Sequence, residues 1–438
     1  MDILLVALAS FFILRRWKLE WALVFTMALG TNMFHFGKIF SNLLYIPNTR
    51  DGALILILLM FIWYKNKKVD STPYKGIQKL AIIFFAYLAF ITFIDIAING
   101  TSVVSVLKTS RHWLCLLILF VIPKIPYNAL YKALRITFYI TLVASVIIIL
   151  EYFAGTEYFT TTMVENGIKR GALPAYYALF YTFLVFTDYY KFSKTKKYLY
   201  LGILIASQLV STTRSIAMAI ILGIAVCIWY LSENKFNSFL KLGGLCFAIY
   251  AASFALPSLH ERFNEAFDEF AGMEQSSKNL DAEGNTTFRL YMVAERYQYL
   301  KKNPQYYLFG IGNIIEQDFP TTFFIGGFNK EMQRPTQLDT GDISWSPIIL
   351  RLGMLGLVIY LIMTFKFINF RKHSKKDLLY VTTKTYLIIT LLVISFAGST
   401  YARGEFWIMP VVCIVMIRKT YMLANKQQTV ENLNKLQK

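Results

Sequence analysis

The sequence has few charged residues and very few of the residues that build soluble catalytic centres. Only 16% of its 438 residues are charged, and it contains four cysteines and four histidines. No CxxC pair and no histidine, cysteine and carboxylate set stands at metal-ligand spacing. No histidine has the partners of a nucleophilic triad, and no glycine-rich turn follows a strand as in nucleotide-binding folds. We therefore expect no metal and no cofactor.

Hydrophobic residues dominate the chain instead. They make up 56% of the sequence, and the mean hydropathy is +0.47. They come in about thirteen runs separated by short connecting segments, as in proteins that cross a bilayer repeatedly. The sequence predicts an all-α polytopic membrane protein with about 12–13 transmembrane helices and one large helical extracytoplasmic loop. The runs are residues 3–14, 19–36, 53–64, 80–98, 104–122, 136–153, 173–186, 198–210, 216–231, 240–256, 343–367, 386–398 and 406–417.

The orientation of the chain follows from its basic connecting segments. The formal net charge is +19, which in a soluble domain would indicate a nucleic-acid partner. Lysine and arginine collect here in alternate segments, so the positive-inside rule explains them better and no nucleic acid is expected. The C-terminus is predicted inside, and the N-terminus lies outside only if the first run crosses the bilayer. The predicted units are membrane helices at 1–256 and 342–420, an outer loop at 257–341 and a cytoplasmic tail at 421–438.

The outer loop contains a strong helical pattern at residues 286–302, followed by a turn with Gly310 and Gly312. Its apolar residues recur at helical spacing, while its cations lie elsewhere around the helix. The apolar positions are Leu290, Val293, Ala294, Tyr297 and Leu300, and the cations are Arg289, Arg296, Lys301 and Lys302. Asn303 and Pro304 end the helix. The pattern predicts an amphipathic, cationic helix that lies outside the bilayer and holds substrate.

Several arginines are predicted at or near the outer face, where the positive-inside rule does not explain them. They are Arg170, Arg214, Arg289, Arg296, Arg351 and Arg403. Planar guanidinium groups bind phosphate through two hydrogen bonds, so a cluster of them suits phosphate or pyrophosphate. Arg351 and Arg403 are equally compatible with snorkelling or salt-bridged residues. Arg214 lies in a polar break too short for an exposed loop, which favours a functional role near the bilayer.

Two more segments at the predicted outer face hold candidate substrate contacts. The start of the run at 173–186 fits either a flexible entry turn with aromatic residues at the membrane interface or a substrate site. In the second case Lys169 and Arg170 are phosphate contacts and Tyr176 is a contact to the pyrophosphate or the glycan. Before the run at 343–367, Asp339 is a candidate substrate contact near the arginines. Asp342 fits either a general base that activates a sugar hydroxyl or a cap at the start of the helix.

Four sequence motifs, taken in their order along the chain, are similar to those of a known family. They read RGALPAYYALFYTFL, STTRSIAMAI, FRLYMVAERYQYLKKNPQYYLFGIG and DISWSPIILRLGMLGLVIYL. In this order they resemble the O-antigen polymerase and O-antigen ligase superfamily of bacterial polysaccharide assembly, over residues 169–360. In the last motif, Gly353 and Gly356 allow close packing against a neighbouring helix.

The resemblance implies a metal-independent glycosyltransferase at the outer, periplasmic face of the bacterial cytoplasmic membrane. Its donor would be an oligosaccharide on undecaprenyl pyrophosphate, and the pyrophosphate would leave as the glycosidic bond forms. Arg214 matches the family's arginine at the membrane edge, and Arg289 matches the arginine that opens the loop helix. By this resemblance both bind the pyrophosphate and stabilise the charge that develops on it. A flippase and a chain-length regulator are the protein partners that such a pathway implies.

One departure from the family pattern bears on the reaction. Ligases usually have a histidine, taken as the base, before the last motif helix, and here the matching residues 341–345 read GDISW. We therefore expect a polymerase of O-antigen, capsule or exopolysaccharide, with a ligase as the close alternative. A transporter or flippase of the same lipid-linked oligosaccharide is the alternative of another class. It should have two related halves, and we find no repeat between the halves of the sequence.

Overall fold

The computed structural model describes the chain in segments and shows an almost entirely helical backbone. The described residues are 2–31, 49–64, 66–67, 74–156, 162–165, 168–171, 175–210, 214–233, 240, 243–244, 286–314, 328–329, 334–335, 343–370, 377–398 and 400–436. Two short antiparallel hairpins, β1 with β2 and β3 with β4, are the non-helical elements among them.

The described residues up to position 231 form helices that follow the predicted apolar runs. They are α1 (Asp2–Arg15), α2 (Leu19–Gly30), α3 (Thr49–Tyr64), α4 (Lys75–Ala97), α5 (Val103–Ser110), α6 (Ile118–Val121), α7 (Tyr127–Ala154), α8 (Ala175–Phe186), α9 (Lys194–Leu209) and α10 (Arg214–Leu231). The 3-10 helices Arg111–Leu117 and Ile122–Lys124 flank α6 and make one continuous helical segment with α5. The first hairpin, β1 (Thr162–Glu165) and β2 (Ile168–Gly171), precedes α8.

The second part of the chain contains the loop helix and the last apolar helices. Its helices are α11 (Thr286–Lys302), α12 (Pro304–Tyr307), α13 (Trp345–Ile368), α14 (Leu378–Leu392) and α15 (Ile408–Leu436). The hairpin β3 (Phe328–Asn329) and β4 (Arg334–Pro335) lies between α12 and α13. The 3-10 helices Ile394–Phe396, Thr400–Ala402 and Gly404–Trp407 connect α14 to α15.

Six helical segments within the described residues are long and apolar enough to cross a membrane. They are Lys75–Ala97, Val103–Lys124, Tyr127–Ala154, Trp345–Ile368, Leu378–Phe396 and Gly404–Leu423. The protein is therefore an all-α polytopic membrane protein, as the hydropathy pattern predicts. Twelve of the thirteen predicted runs coincide with helices, and the run at 240–256 falls largely outside the described residues.

At one end of the helices, which we name the basic end, several of the basic connecting segments meet. Lys124 Nζ donates a hydrogen bond to the carbonyl of Tyr64 at 2.8 Å, and Arg16 lies 5.6 Å from the centre of the Tyr64 ring. Lys419 Nζ donates to the carbonyl of Ile125 at 2.7 Å. These contacts bring together segments that the charge pattern assigns to the same side of the membrane.

The connecting segments with few positive charges meet at the other end of the helices, which we name the loop end. Arg111 forms an ion pair with Asp51 at 3.0 Å, which joins the segment after α5 to the first turn of α3. Thr109 Oγ1 donates a hydrogen bond to the carbonyl of Asn313 at 2.7 Å. This bond ties the chain that follows the loop helix to the same end of the helices.

Helix α13 is broken inside its apolar stretch. Gly353 has φ 62° and ψ −173°, so the helix stops before it and restarts after it. Residues 308–314, which we name the glycine turn, lie against the break and satisfy its backbone through three N–H to C=O hydrogen bonds. The bonds run from Ile311 to Leu350 at 2.9 Å, from Gly312 to Arg351 at 3.2 Å and from Leu355 to Leu308 at 3.1 Å.

Glycines at the break allow this close approach of two backbones. Gly310 and Gly353 both have a positive φ, and a Cβ at Gly310 would overlap the carbonyl of Arg351. A Cβ at Gly353 would overlap the backbone of Gly310. Gly356 packs against the ring of Tyr87 on α4, which confirms the predicted close packing at that residue. The prediction did not foresee that Gly353 interrupts the helix.

The predicted loop helix is present as α11, but the face that it buries differs from the predicted one. Leu290 and Tyr297, which belong to the predicted apolar stripe, are 50% and 37% exposed. Leu300 of that stripe is buried as predicted, but it shares the buried line with Met292 and Arg296, spaced four residues apart. Arg296 is accommodated there because its Nη1 pairs with Glu295 Oε2 at 3.2 Å and donates to the carbonyl of Met292 at 3.3 Å. Charge alone therefore gave the wrong orientation of this residue.

Candidate anion-binding cavity

A cavity of about 240 Å³ lies at the loop end, where α3, α5, α13 and the segment before α15 meet. We name it the cationic cavity. Its lining residues are Arg50, Asp51, Lys108, Thr109, Arg111, His112, Trp113, Pro347, Ile348, Arg351, Leu352, Ala402, Arg403 and Glu405. Five of them are lysine or arginine and two are acidic, an excess of three positive charges. This charge balance suits a ligand with more than one negative charge.

The basic side chains of the cavity come from distant parts of the sequence. Arg50 stands in the first turn of α3, Lys108 in the last turn of α5, and Arg111 at the start of the 3-10 helix Arg111–Leu117. Arg351 comes from the first half of the broken helix α13, and Arg403 precedes the 3-10 helix Gly404–Trp407. Only the tertiary fold assembles them, so no local motif marks this site.

Arg351 connects the cavity to the glycine turn. Its side chain lines the cavity, and its Nη1 donates a hydrogen bond to the carbonyl of Ile314 at 2.6 Å. The residue is only 9% exposed. It is therefore held inside the protein, and the alternative of an arginine that snorkels along an outer surface does not describe it.

One wall of the cavity already contains an ion pair. Arg111 and Asp51 lie 3.0 Å apart, and their side chains are 37% and 28% exposed. A pair this accessible to solvent contributes little to stability. Its main consequence for the site is that Arg111 and Asp51 largely offset each other's charge, whereas Arg50 and Arg403 are the cations that act on Glu405.

Glu405 is the buried carboxylate of the cavity. It is 6% exposed, and its Oε2 has no hydrogen-bond partner among the described residues. The charges of Arg50, Arg403 and Asp51 all act on it. A buried carboxylate oxygen normally has a donor, so this one calls for an explanation.

Aromatic side chains pack together next to the cavity. The ring of Trp113, a lining residue, meets the ring of Tyr360 edge to face at 5.3 Å. The indole N–H of Trp407 donates to the Tyr360 hydroxyl at 3.1 Å, and that hydroxyl donates to the carbonyl of Tyr401. Because these rings are interlocked and hydrogen-bonded, the neighbouring backbone of residues 402–405 has a fixed position.

Most site residues predicted from the sequence have no described side chain. The backbone is described for Lys169 and Arg170 in β2, Tyr176 in α8 and Arg214 at the start of α10, and their side chains lie outside the described residues. Asp339 and Asp342 lie outside the described residues altogether. The roles of these six residues stay predictions.

The two remaining predicted residues belong to the loop helix. Arg289 is partly buried, and its Nε has no hydrogen-bond partner among the described residues. Arg296 is completely buried. Neither is among the residues that line the cationic cavity. Their predicted contact with substrate therefore stays a prediction, separate from this cavity.

Sequence reasoning missed three basic residues of the cavity. Arg50 lies just before the run at 53–64, and Lys108 and Arg111 lie within the run at 104–122, where no cation was singled out from the sequence. The available signal was that each cation stands at or near the outward end of an apolar run. In the part of the chain that the structure describes, no three histidine, cysteine or acidic residues come together as a metal site.

No protein-family model matches the sequence, and no curated protein matches it either. The resemblance to the polysaccharide polymerases and ligases therefore rests on the four motifs alone.

Proposed function

We propose that the protein is a membrane glycosyltransferase that polymerises polysaccharide repeat units carried on undecaprenyl pyrophosphate. The polymer would be O-antigen, capsule or exopolysaccharide. The observation that supports this function is the cationic cavity, which offers an excess of three positive charges at the loop end. The motif resemblance suggests the reaction class, and the charge of the cavity would suit the pyrophosphate of the proposed donor.

The charge of the donor fits the charge of the cavity. A pyrophosphate that links a lipid to a sugar carries two negative charges, and it gains a third as the bond to the sugar breaks. Two unit charges about 4 Å apart attract each other by about 4 kcal/mol at an effective dielectric constant of about 20. Arginines fixed before the reaction, such as Arg351, stabilise the leaving group because they need no reorganisation when its charge develops.

The proposed location follows from the two ends of the helices. If the basic end faces the cytoplasm, as the positive-inside rule requires, the cationic cavity faces the periplasm or cell exterior. Lipid-linked repeat units reach that face after a flippase has moved them across the bacterial cytoplasmic membrane. The partners of the protein would then be the lipid-linked oligosaccharide, the bilayer, that flippase and a chain-length regulator.

Two sets of arginines are candidates for the pyrophosphate. The motif resemblance assigns it to Arg214 and Arg289, whereas the cavity offers Arg50, Arg351 and Arg403. Alanine variants in each set separate these assignments. Loss of chain extension with Arg214→Ala and Arg289→Ala but not with Arg403→Ala would assign the phosphate to the motif arginines.

Reconstitution with a defined donor tests the proposed function. The purified protein in liposomes is incubated with undecaprenyl-pyrophosphate-linked repeat units, and the products are separated by length. A ladder of products, together with released undecaprenyl pyrophosphate, supports a polymerase. A single transfer to an added lipid or protein acceptor indicates a ligase instead. Intact donor after incubation with a protein that remains folded contradicts a glycosyltransferase of either kind.

The break in α13 supports a second candidate function, transport of the lipid-linked oligosaccharide. Transporters often bind their substrate at helices that are interrupted within the membrane, and α13 is interrupted at Gly353. The same liposomes distinguish the two functions. A transporter moves intact donor from one leaflet to the other without releasing undecaprenyl pyrophosphate.

A further inference from the structure

The wall of the cationic cavity contains a buried carboxylate that a pyrophosphate does not need. Glu405 is 6% exposed, it lines the cavity, and its Oε2 has no hydrogen-bond partner among the described residues. An anionic ligand would avoid this oxygen and bind to the arginines. A ligand hydroxyl would instead supply the donor that the buried oxygen lacks.

The backbone around Glu405 is fixed by packing. Gly404 lies directly against the carbonyl of His112, where any side chain would overlap that oxygen. On the other side, Trp407 is fully buried and its indole N–H donates to the Tyr360 hydroxyl at 3.1 Å. Glu405 is therefore presented from a rigid support, as a group that must meet a reacting atom requires.

Charged and titratable groups approach Glu405 from several elements. Arg50 and Asp51 belong to α3, Arg403 precedes Glu405 in the chain, and Cys115 belongs to the 3-10 helix Arg111–Leu117. His112 of the same 3-10 helix lines the cavity beside them. The cavity thus combines arginines that suit a phosphate with one buried carboxylate that suits a hydroxyl, and a glycosyl transfer requires both kinds of group.

We propose that Glu405 is the proton acceptor of the transfer, an inference that rests on the proposed function. In this step the hydroxyl oxygen of the acceptor sugar attacks the anomeric carbon of the donor sugar and forms the new C–O bond. The bond between the anomeric carbon and the phosphate oxygen breaks, and its electron pair leaves on undecaprenyl pyrophosphate. The hydroxyl proton passes to Glu405 Oε2.

The Glu405→Gln variant tests this role because glutamine keeps the shape of the side chain and cannot accept the proton. We expect kcat for polymer formation to fall by about 100-fold or more, with the Kd of the lipid-linked donor changed by less than about threefold. Glu405→Asp keeps a carboxylate and should recover part of the lost rate. Glu20→Gln, at the start of α2 near the basic end, is the matched control and should leave kcat unchanged.

Three results would overturn the assignment. A kcat of Glu405→Gln within about fivefold of wild type shows that the carboxylate accepts no proton. If Glu405→Gln and Glu405→Asp lose donor affinity and thermal stability to the same extent as each other, the residue only supports the fold. A loss of kcat in Asp342→Asn that Glu405→Gln does not show places the base at Asp342. A wild-type protein that releases no undecaprenyl pyrophosphate contradicts the proposed function itself, and with it the role of Glu405.

Discussion

At the scale of single residues, two arginines of the cationic cavity show what the sequence could and could not predict. Arg351 has a fixed place because its Nη1 donates to the carbonyl of Ile314 at 2.6 Å. Arg403 precedes a 3-10 helix, and its backbone N–H donates to the carbonyl of Thr400 at 3.1 Å. Both were singled out in the sequence as outward arginines. Their meeting in one cavity with Arg50 could not be predicted, because α3 and the segment before α15 are far apart in the chain.

Arg403 offers the cleaner substitution, since Arg351 also anchors the glycine turn. We expect Arg403→Ala to raise the Kd of undecaprenyl pyrophosphate at least about tenfold, which corresponds to about 1.4 kcal/mol. Arg403→Lys should lie between alanine and wild type, because an ammonium group cannot bind phosphate through two parallel hydrogen bonds. Equilibrium binding of undecaprenyl pyrophosphate to the detergent-solubilised variants measures these Kd values.

Lys67→Ala provides the control for Arg403→Ala. Lys67 is an exposed cation at the basic end, 5.7 Å from the centre of the Tyr64 ring. Its removal lowers the net charge by the same amount and should leave the Kd unchanged. Equal losses of affinity in Lys67→Ala and Arg403→Ala would show that general charge, and not the cavity, attracts the lipid.

At the scale of elements, the glycine turn and the broken helix α13 form one unit. The turn supplies backbone partners to the carbonyls that the break at Gly353 frees. Asp95 of α4 adds a further anchor, since its Oδ2 accepts the N–H of Asn313 at 2.7 Å. The position of the loop helix is therefore linked to the position of Arg351 through a few short contacts.

Alanine at Gly353 should disrupt this unit. The residue has φ 62°, and a Cβ there would overlap the backbone of Gly310. We expect Gly353→Ala to cost more than about 1 kcal/mol of stability, measured as a lower Tm in detergent. Gly202→Ala is the control, because Gly202 lies on an exposed face of α9 with no atom near its missing Cβ. It should keep or slightly raise the Tm. A Gly353→Ala protein as stable as wild type would show that the break tolerates a side chain.

The elements also show how far the sequence could be interpreted. Hydropathy runs predicted the helices well, because burial in a bilayer requires long apolar stretches. The helix at Thr286–Lys302 was predicted together with its end at Asn303 and Pro304. Its buried face was not, because a pattern of apolar spacing places every charged residue outside. Arg296 is buried with a neighbouring carboxylate as its partner, and only the structure reveals such a pair.

At the scale of the whole molecule, the contacts divide the connecting segments between two ends. Lys124, Arg16 and Lys419 meet around α3 and α7 at the basic end. The ring of Tyr131 near the start of α7 lies 6.0 Å from that of Tyr190, so the turn before α9 belongs to the same end. Charge alternation predicted this grouping. The cavity at the loop end could not be predicted, since it needs the tertiary positions of four elements.

Labelling of one introduced, exposed cysteine at a time tests on which side of the membrane each end of the helices lies. In a Cys246→Ser background, Cys115, Cys227 and Cys413 remain and are all buried. Ala154→Cys, exposed at the end of α7, should react with an impermeant maleimide in intact cells. Thr195→Cys, exposed at the start of α9, should react only after the membrane is permeabilised. The reverse pattern would place the cationic cavity in the cytoplasm and exclude the proposed donor side.

The most direct test of the central claim is to map where the bound donor lies. A repeat unit on undecaprenyl pyrophosphate, with a diazirine on its first sugar, is bound to reconstituted protein and activated by light. We predict adducts on the cavity segments 108–113 and 402–405, and we expect excess undecaprenyl pyrophosphate to suppress them. Adducts confined to the basic end or to residues around Arg214 and Arg289, or adducts that excess lipid does not suppress, would contradict a pyrophosphate site in the cationic cavity.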